Sequence, residues 1–331
     1  MKTSFRLFVL LLVLSGIRPA HAQRFSGLVF GDYYYVVSNH QPEREAQNGF
    51  WLRRVYFTLD QQLGDNLSMR LRMEMAHPGN FSAGNAVPFV KDAYLRWKFT
   101  ANHELFIGIS PSATFNLVES VWGYRPVEKT PDDLYKLASS REFGLALRGK
   151  LVSSGKLRYH ALLGNGEGTK SEGNKGKKVQ LALQFFPTDE LVLEVYGDYA
   201  RRQAQEQVYT GHVFAAYRTA TYRLGIEYSH QRVQRDVERD LRYLSGFAAL
   251  QAGRDLYLFG RVDRLFDANP QGERISYLPM ADNSRATFVL AGIDYRLHEK
   301  VHVMPNVEIV LYDNSDLDRD VMPRLTFFYR F

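Results

Sequence analysis

The sequence predicts an all-β fold, a transmembrane antiparallel β-barrel of 16 strands with a long constriction loop. Three observations carry that expectation. Apolar and polar residues alternate with period two in segment after segment. Past the first residues, no apolar run approaches the 18 or more residues that a membrane-crossing helix needs. The connections between segments alternate between short and long, as they do when turns share one rim of a barrel and loops the other.

The clearest segment is "LSMRLRMEMA". Leu67, Met69, Leu71, Met73 and Met75 face one way; Ser68, Arg70, Arg72, Glu74 and Ala76 face the other. At helical spacing those charges would surround the cylinder, so the pattern fits a strand. The same pattern recurs in "DAYLRWKF", "EFGLALRGK", "KVQLALQF" and "VHVMPNVEIVL". Sixteen segments result, at about 24–36, 50–61, 67–76, 89–99, 104–110, 140–151, 156–164, 177–186, 190–200, 207–218, 221–231, 240–250, 254–265, 285–296, 300–312 and 321–331. Fourteen or eighteen strands are the neighbouring alternatives. Charges fall on the inner face of many segments. A sandwich core would bury them at several kcal/mol each, whereas a water-filled lumen hydrates them. An open sheet of this size would leave two edges unpaired, so the first and last strands are expected to pair and close the ring.

Short connections lie at 63–66, 100–103, 153–155, 188–190, 219–220, 252–254 and 298–300, with longer polar ones between them. An even number of strands puts both termini on the side of the short turns, the periplasmic side of an outer membrane. The first residues, "MKTSFRLFVLLLVLSGIRPAHAQ", read as a signal peptide over 1–22, cleaved after Ala22. One barrel domain over 23–331 follows it. Cleavage removes Lys2, Arg6 and Arg18 and lowers the net charge from +6 to about +3. That residual charge gives no argument for nucleic acid. The chain has no cysteine, which excludes disulfides and thiolate metal sites. Aromatics reach 14%, the share expected where rings girdle a barrel at both interfaces with outer-membrane lipid. The closing "RLTFFYRF" alternates Leu325, Phe327, Tyr329 and Phe331 toward lipid with Arg324, Thr326, Phe328 and Arg330 toward the lumen. Tyr329 and Phe331 there resemble the terminal signal read by the outer-membrane assembly machinery.

The longest connection, Pro111 to Ser140, carries the apolar residues Phe115, Trp122 and Tyr124 beside Glu119, Arg125 and Lys129. Loops this long are functional or disordered, and apolar content argues for order. It is expected to fold into the barrel and narrow the pore; capping the mouth or bracing a neighbouring subunit is the alternative. Parity puts Arg54, Arg70, Arg72, Arg96, Lys98 and Arg148 on the inner wall, with Arg223, Arg296, Arg324 and Arg330 further on. Acidic residues on that wall include Asp60, Glu74, Asp92, Glu142, Glu194, Asp198, Glu227, Asp263, Asp294 and Glu308. Most of these charges are expected to brace the wall by pairing across strands. The basic excess lowers the barrier to anions, and the early strands hold its densest group.

No GxSxG elbow, HExxH helix or metal spacing of histidines is present, so no catalytic residue, metal site or cofactor is expected. Passive diffusion of small anionic or neutral solutes is the leading expectation. A barrel enzyme such as a lipid hydrolase, whose residues need only meet in space, and a plugged structural or adhesive barrel are the alternatives.

The stretches "GFWLRRVYFTLDQQLGDNLSMRLRME", "VKDAYLRWKF", "LFIGISPSATF", "HALLGNGEG" and "VQLALQFFPTDEL" resemble the phosphate-selective porin O and P family over roughly residues 45–200. The resemblance implies a sixteen-stranded homotrimer whose third external loop, here Pro111–Ser140, constricts a pore lined by arginines and lysines. Arg54, Arg70, Arg72 and Arg96 stand at the corresponding positions, interleaved with Glu74 and Asp92. Ser110-Pro111-Ser112 replaces the family's glutamine-lysine-proline after the fifth strand.

Overall fold

The computed structural model describes residues 23–79, 81, 83–202 and 206–331. The expected signal peptide, residues 1–22, lies outside the described residues. Sixteen strands form in chain order: β1 (Gln23–Tyr35), β2 (Asn48–Gly64), β3 (Leu67–Ala76), β4 (Val87–Trp97), β5 (His103–Pro111), β6 (Arg141–Lys150), β7 (Leu157–Gly164), β8 (Lys178–Phe185), β9 (Leu191–Arg201), β10 (Gln207–Arg218), β11 (Tyr222–Gln234), β12 (Arg239–Gln251), β13 (Leu256–Leu265), β14 (Ala286–His298), β15 (Val301–Tyr312) and β16 (Asp320–Arg330). Each lies within three residues of the segment read from the alternation. Every strand pairs with its sequence neighbours, and β1 pairs antiparallel with β16, from Leu28 opposite Arg330 to Tyr34 opposite Arg324. The barrel is closed, so no backbone edge is left unpaired.

The outer face is apolar. Leu145, Leu163, Val195, Val213, Ile226, Val262 and Leu325 are all exposed on it. Parity holds along β3, where Glu74 is buried inside while Leu71 is exposed outside.

Two of the four register shifts in the barrel turn extra charges inward. In β2 the register slips between Phe30–Arg54 and Asp32–Trp51, so that Trp51, Arg53 and Arg54 all face inward while Leu52 faces out. In β4 it slips between Arg72–Asp92 and Met73–Val90, which turns Lys91 inward beside Asp92. A strictly alternating strand would have put Arg53 and Lys91 on the lipid face, at about 2–4 kcal/mol each near the midplane. One extra residue in each strand removes that cost.

The closing seam depends on two glycines. A Cβ on Gly27 would lie 2.3 Å from the Phe331 ring, and one on Gly31 would lie 2.1 Å from the Trp51 carbonyl and 2.7 Å from the Phe327 ring. These absent side chains let the aromatic rings of β16 lie across β1. Gly31→Ala is expected to force the bulge or the ring aside at about 1–3 kcal/mol, and to lower the fraction of heat-modifiable, folded barrel on a gel. Equal yields of folded variant and parent would show that the seam tolerates the methyl group.

Candidate functional site

The long connection does enter the barrel. Its first helix, α1 (Asn116–Trp122), packs against β10, β11 and β12, and ends on Gly123 in the left-handed conformation (φ 72°). Leu117, Val118, Val121 and Trp122 are its buried face. They meet luminal residues that are apolar where a hydrated wall would be polar: Phe214, Phe247, Phe259 and Phe288. The Trp122 ring lies edge-on to Phe247 at 5.2 Å, and its indole N–H donates to the Glu128 carbonyl at 3.0 Å. Tyr124 stacks on Phe259 at 4.3 Å. Phe115 is buried as well. A second short helix, α2 (Pro131–Leu134), follows, and Tyr135 behind it donates to Asp263 at 2.7 Å.

The connection 266–284, which reads from the sequence as one more polar external loop, also folds inward. Ile275, Tyr277, Leu278 and Met280 are fully buried in the same apolar cluster. Tyr277 has φ 71°, a conformation that costs of order 1–3 kcal/mol for a residue with a side chain. Its contacts hold it there. The hydroxyl donates to the His77 carbonyl at 2.7 Å, the carbonyl accepts from Arg324 at 2.5 Å, and the ring lies 4.7 Å from the Arg53 guanidinium.

Between the two loops and the seam lies a charge cluster closed to water. Arg53 bonds Asp32 at 3.1 Å and Glu128 at 3.4 Å; Arg324 bonds Glu308 at 2.7 Å and Glu128 at 3.4 Å. Arg53 also donates to the Val127 carbonyl at 2.7 Å, and Thr326 donates to Asp32 at 2.6 Å. Burial alone would raise the Glu128 carboxyl, but the two guanidinium groups outweigh it and hold the group below the usual carboxylate range.

What the loops leave open is basic. A cavity of about 510 Å³ runs beside Gly123, Tyr124, Arg125 and Pro126. Arg72, Lys91, Arg125, Arg141, Arg223, Arg296 and Arg330 line it, against the carboxylates of Glu119, Asp133, Asp294 and Glu299. Leu28, Phe30, Met304 and Phe328 give it one apolar wall. A second cavity, about 560 Å³, lies under α1 against the short turns and is lined by Arg96, Lys98, Arg148, Lys150 and Arg158, with Glu104 as its single carboxylate.

The wall residues expected from the sequence therefore divide. Arg72, beside Thr58 at 2.8 Å and Asp92 at 3.3 Å, meets Glu119, Tyr124 and Arg125 in the first cavity. Arg96, paired to Glu104, meets Lys98 and Arg148 in the second. Arg148 has no carboxylate partner among the described residues; it lies 4.5 Å from the Phe106 ring and donates to the Pro111 carbonyl at 3.1 Å. Arg54 is held by Glu74 at 2.7 Å and Arg70 by Asp60 at 2.6 Å, and neither lines a cavity. Phe115 and Trp122 anchor the loop and do not border the open space. Tyr329 and Phe331 face outward and are exposed.

Parity missed Arg53, Lys91 and Arg141. Arg53 and Lys91 stand out of phase inside apolar alternation, and a charge in that position marks a bulge. Arg141 opens β6 and reaches Asp92 of β4 over the intervening β5. Ser229 and His212 each bond Asp132, at 2.8 Å and 3.0 Å, and not one another.

With this geometry in place, the likenesses can be weighed. Neither a protein-family model nor a curated protein matches the chain in sequence. Among solved structures it is similar to OmpF of Salmonella typhi in complex with daunomycin, at TM-score 0.71 and 14% identity over 94% of this chain and 98% of that one. It is similar to the anion-selective porin of Comamonas acidovorans, at TM-score 0.68 and 11% identity over 94% and 99%. It is similar to a trimer form of OmpT, an outer membrane protein of Vibrio cholerae, at TM-score 0.66 and 12% identity over 94% and 100%. At such identities the likeness shows the fold: a closed sixteen-stranded barrel of the kind found in outer-membrane porins. It stops short of the phosphate-selective branch.

Lys129 supplies a test within the loop. Burial pushes its ammonium down to about 8; Asp133 opposes the shift, while Arg125 and Arg54 add to it. The group is cationic below that pH and neutral above it, so luminal positive charge is lost as the pH rises through about 8. Chloride-over-potassium selectivity is expected to fall between pH 7 and 9 in the parent and to lack that step in Lys129→Gln. The same step in both proteins would assign it to another group.

Proposed function

We propose that this chain is an outer-membrane pore for the passive diffusion of small hydrophilic solutes, with a mild preference for anions, phosphate among them. The observation that carries the reading is the charge of the space beside the loop: seven cations against four carboxylates in the first cavity, and five against one in the second. Guanidinium groups replace the water around an oxyanion through paired N–H donors, and low-dielectric walls focus their field along the passage. The Pro111–Ser140 loop constricts the pore on this reading. Glu119 and Arg125, bonded at 3.4 Å, with Tyr124 form its bordering edge. The preference is mild because Asp92 and Glu74 offset Arg72, Arg141, Arg54 and Lys91.

The apolar exterior suits outer-membrane lipid, with both termini periplasmic and a homotrimer as the assembly. The trimer form recorded for a structurally similar barrel supports that last part. Tyr329 and Phe331 serve as the signal for the assembly machinery. A second reading, a barrel plugged by its own loops, is favoured by the apolar cluster that fills one side of the lumen.

Reversal potentials across a planar bilayer under a salt gradient decide between them. Conductance with chloride preferred is expected for the parent, and a smaller preference for Lys91→Gln combined with Arg141→Gln. A silent parent that conducts only once the loop is shortened would establish the plug, and clear cation preference would overturn the anion assignment. Phe331→Ala is expected to reduce insertion while leaving the conductance of inserted channels unchanged; reduced conductance at normal insertion would reverse that assignment.

A further inference from the structure

Behind the loop, and lining neither cavity, four side chains far apart in sequence meet: Asp132 of α2, Glu194 of β9, His212 of β10 and Glu227 of β11. All are at most 3% exposed. We propose that Asp132, His212 and Glu227 form a binding site for one divalent transition-metal ion of zinc type, which fastens α2 to the barrel wall.

The donor geometry is the first support. One oxygen each of Asp132 and Glu227 and a ring nitrogen of His212 lie within 4.8 Å of one another. His212 Nδ1 is 3.0 Å from Asp132 Oδ2 and 3.6 Å from Glu227 Oε1. Ligands at about 2.1 Å from a tetrahedral zinc stand about 3.4 Å apart, so both separations lie close to a tetrahedral edge. An imidazole with two carboxylates is also a donor set that such an ion accepts.

The second support is independent of spacing. Both carboxylate oxygens of Glu227 are buried and have no hydrogen-bond partner. An ionised carboxylate without a partner in the interior costs several kcal/mol unless it takes up a proton or a cation meets it. Asp132 is arranged differently: its Oδ1 accepts from Ser229 at 2.8 Å and from Tyr243 at 2.7 Å, while Oδ2 faces His212. The hydroxyl donors thus hold one oxygen and leave the other for an ion.

The third support is the opposite side of the imidazole. His212 Nε2 lies 3.3 Å from Glu194 Oε1. A carboxylate that accepts the distal N–H of a metal-bound histidine fixes its tautomer and orientation. Three carboxylates thus surround one imidazole, and a divalent ion offsets charge that the histidine alone leaves in excess. No local pattern carries this cluster, since Asp132 and His212 are separated by 80 residues.

The test uses the full chain, folded in detergent without a histidine tag, stripped with EDTA and titrated with zinc chloride by calorimetry. One zinc per chain is expected, with a higher melting temperature in its presence. His212→Gln and Glu227→Gln should each abolish saturable binding. Glu194→Gln should weaken it by roughly 10–100-fold, the usual loss for a partner of a metal-bound histidine. His40→Gln should leave binding intact, because His40 contacts Glu273 and Asp320 in a separate cluster. Heat-modifiable migration on a gel confirms that each variant is folded; if His212→Gln does not fold, the isosteric glutamate variants carry the test. No saturable binding by the parent, or binding equal to the parent's in the folded Glu227→Gln protein, overturns the proposal.

Discussion

The Glu128 carboxylate, held between Arg53 and Arg324, is the interaction on which the interior depends. Arg53 comes from the second strand, Arg324 from the last, and Glu128 from the inserted loop. The carboxylate therefore joins the barrel seam to the loop. The surrounding groups extend the junction: Asp32 in β1, Glu308 in β15, and the Tyr277 carbonyl in the second inward-folded connection. Removing one partner of a buried ion pair leaves an unpaired charge, typically at about 3–5 kcal/mol. Here that charge would sit where the ring closes and where both loops dock, so it would disturb seam and lumen together.

The barrel has apolar surface on two sides for two reasons. Outside, apolar side chains are exposed along the strands, Leu, Val and Ile on most and Phe and Tyr on β1. Inside, Phe214, Phe247, Phe259 and Phe288 face a loop. Trp122, Val118 and Leu117 cover these rings and remove them from water, which gives the loop a strong reason to lie against β10 to β13. The lumen is left lopsided, packed where the loop covers these rings and open at the two cavities. The cations that border those cavities stand where the loops leave room for water to solvate them.

Most of the architecture was legible in the chain itself. Sixteen segments, their faces and the closed seam follow from alternation and length. The site was legible in part. Arg72, Arg96, Lys98 and Arg148, with Glu119, Tyr124 and Arg125, do border the open space. Arg54 and Arg70 face the right way and are taken up by Glu74 and Asp60. Arg53 and Lys91 went unrecognised because parity assumes a constant period, and a bulge adds a residue in one strand alone. The polar-looking connection 266–284 hid a buried core of Ile275, Tyr277, Leu278 and Met280.

What the sequence determined by itself was where the strands run and which face of each is apolar. Those features are written in residues two apart, between two environments, lipid and water, that do not depend on the rest of the chain. Only the tertiary structure decided which luminal charges stay open. Glu128 and Arg324 are 196 residues apart, and Asp132 and Ser229 are 97. Whether a cation lines a passage or is neutralised depends on what the closed ring and the inserted loops bring beside it, and no local pattern carries that information.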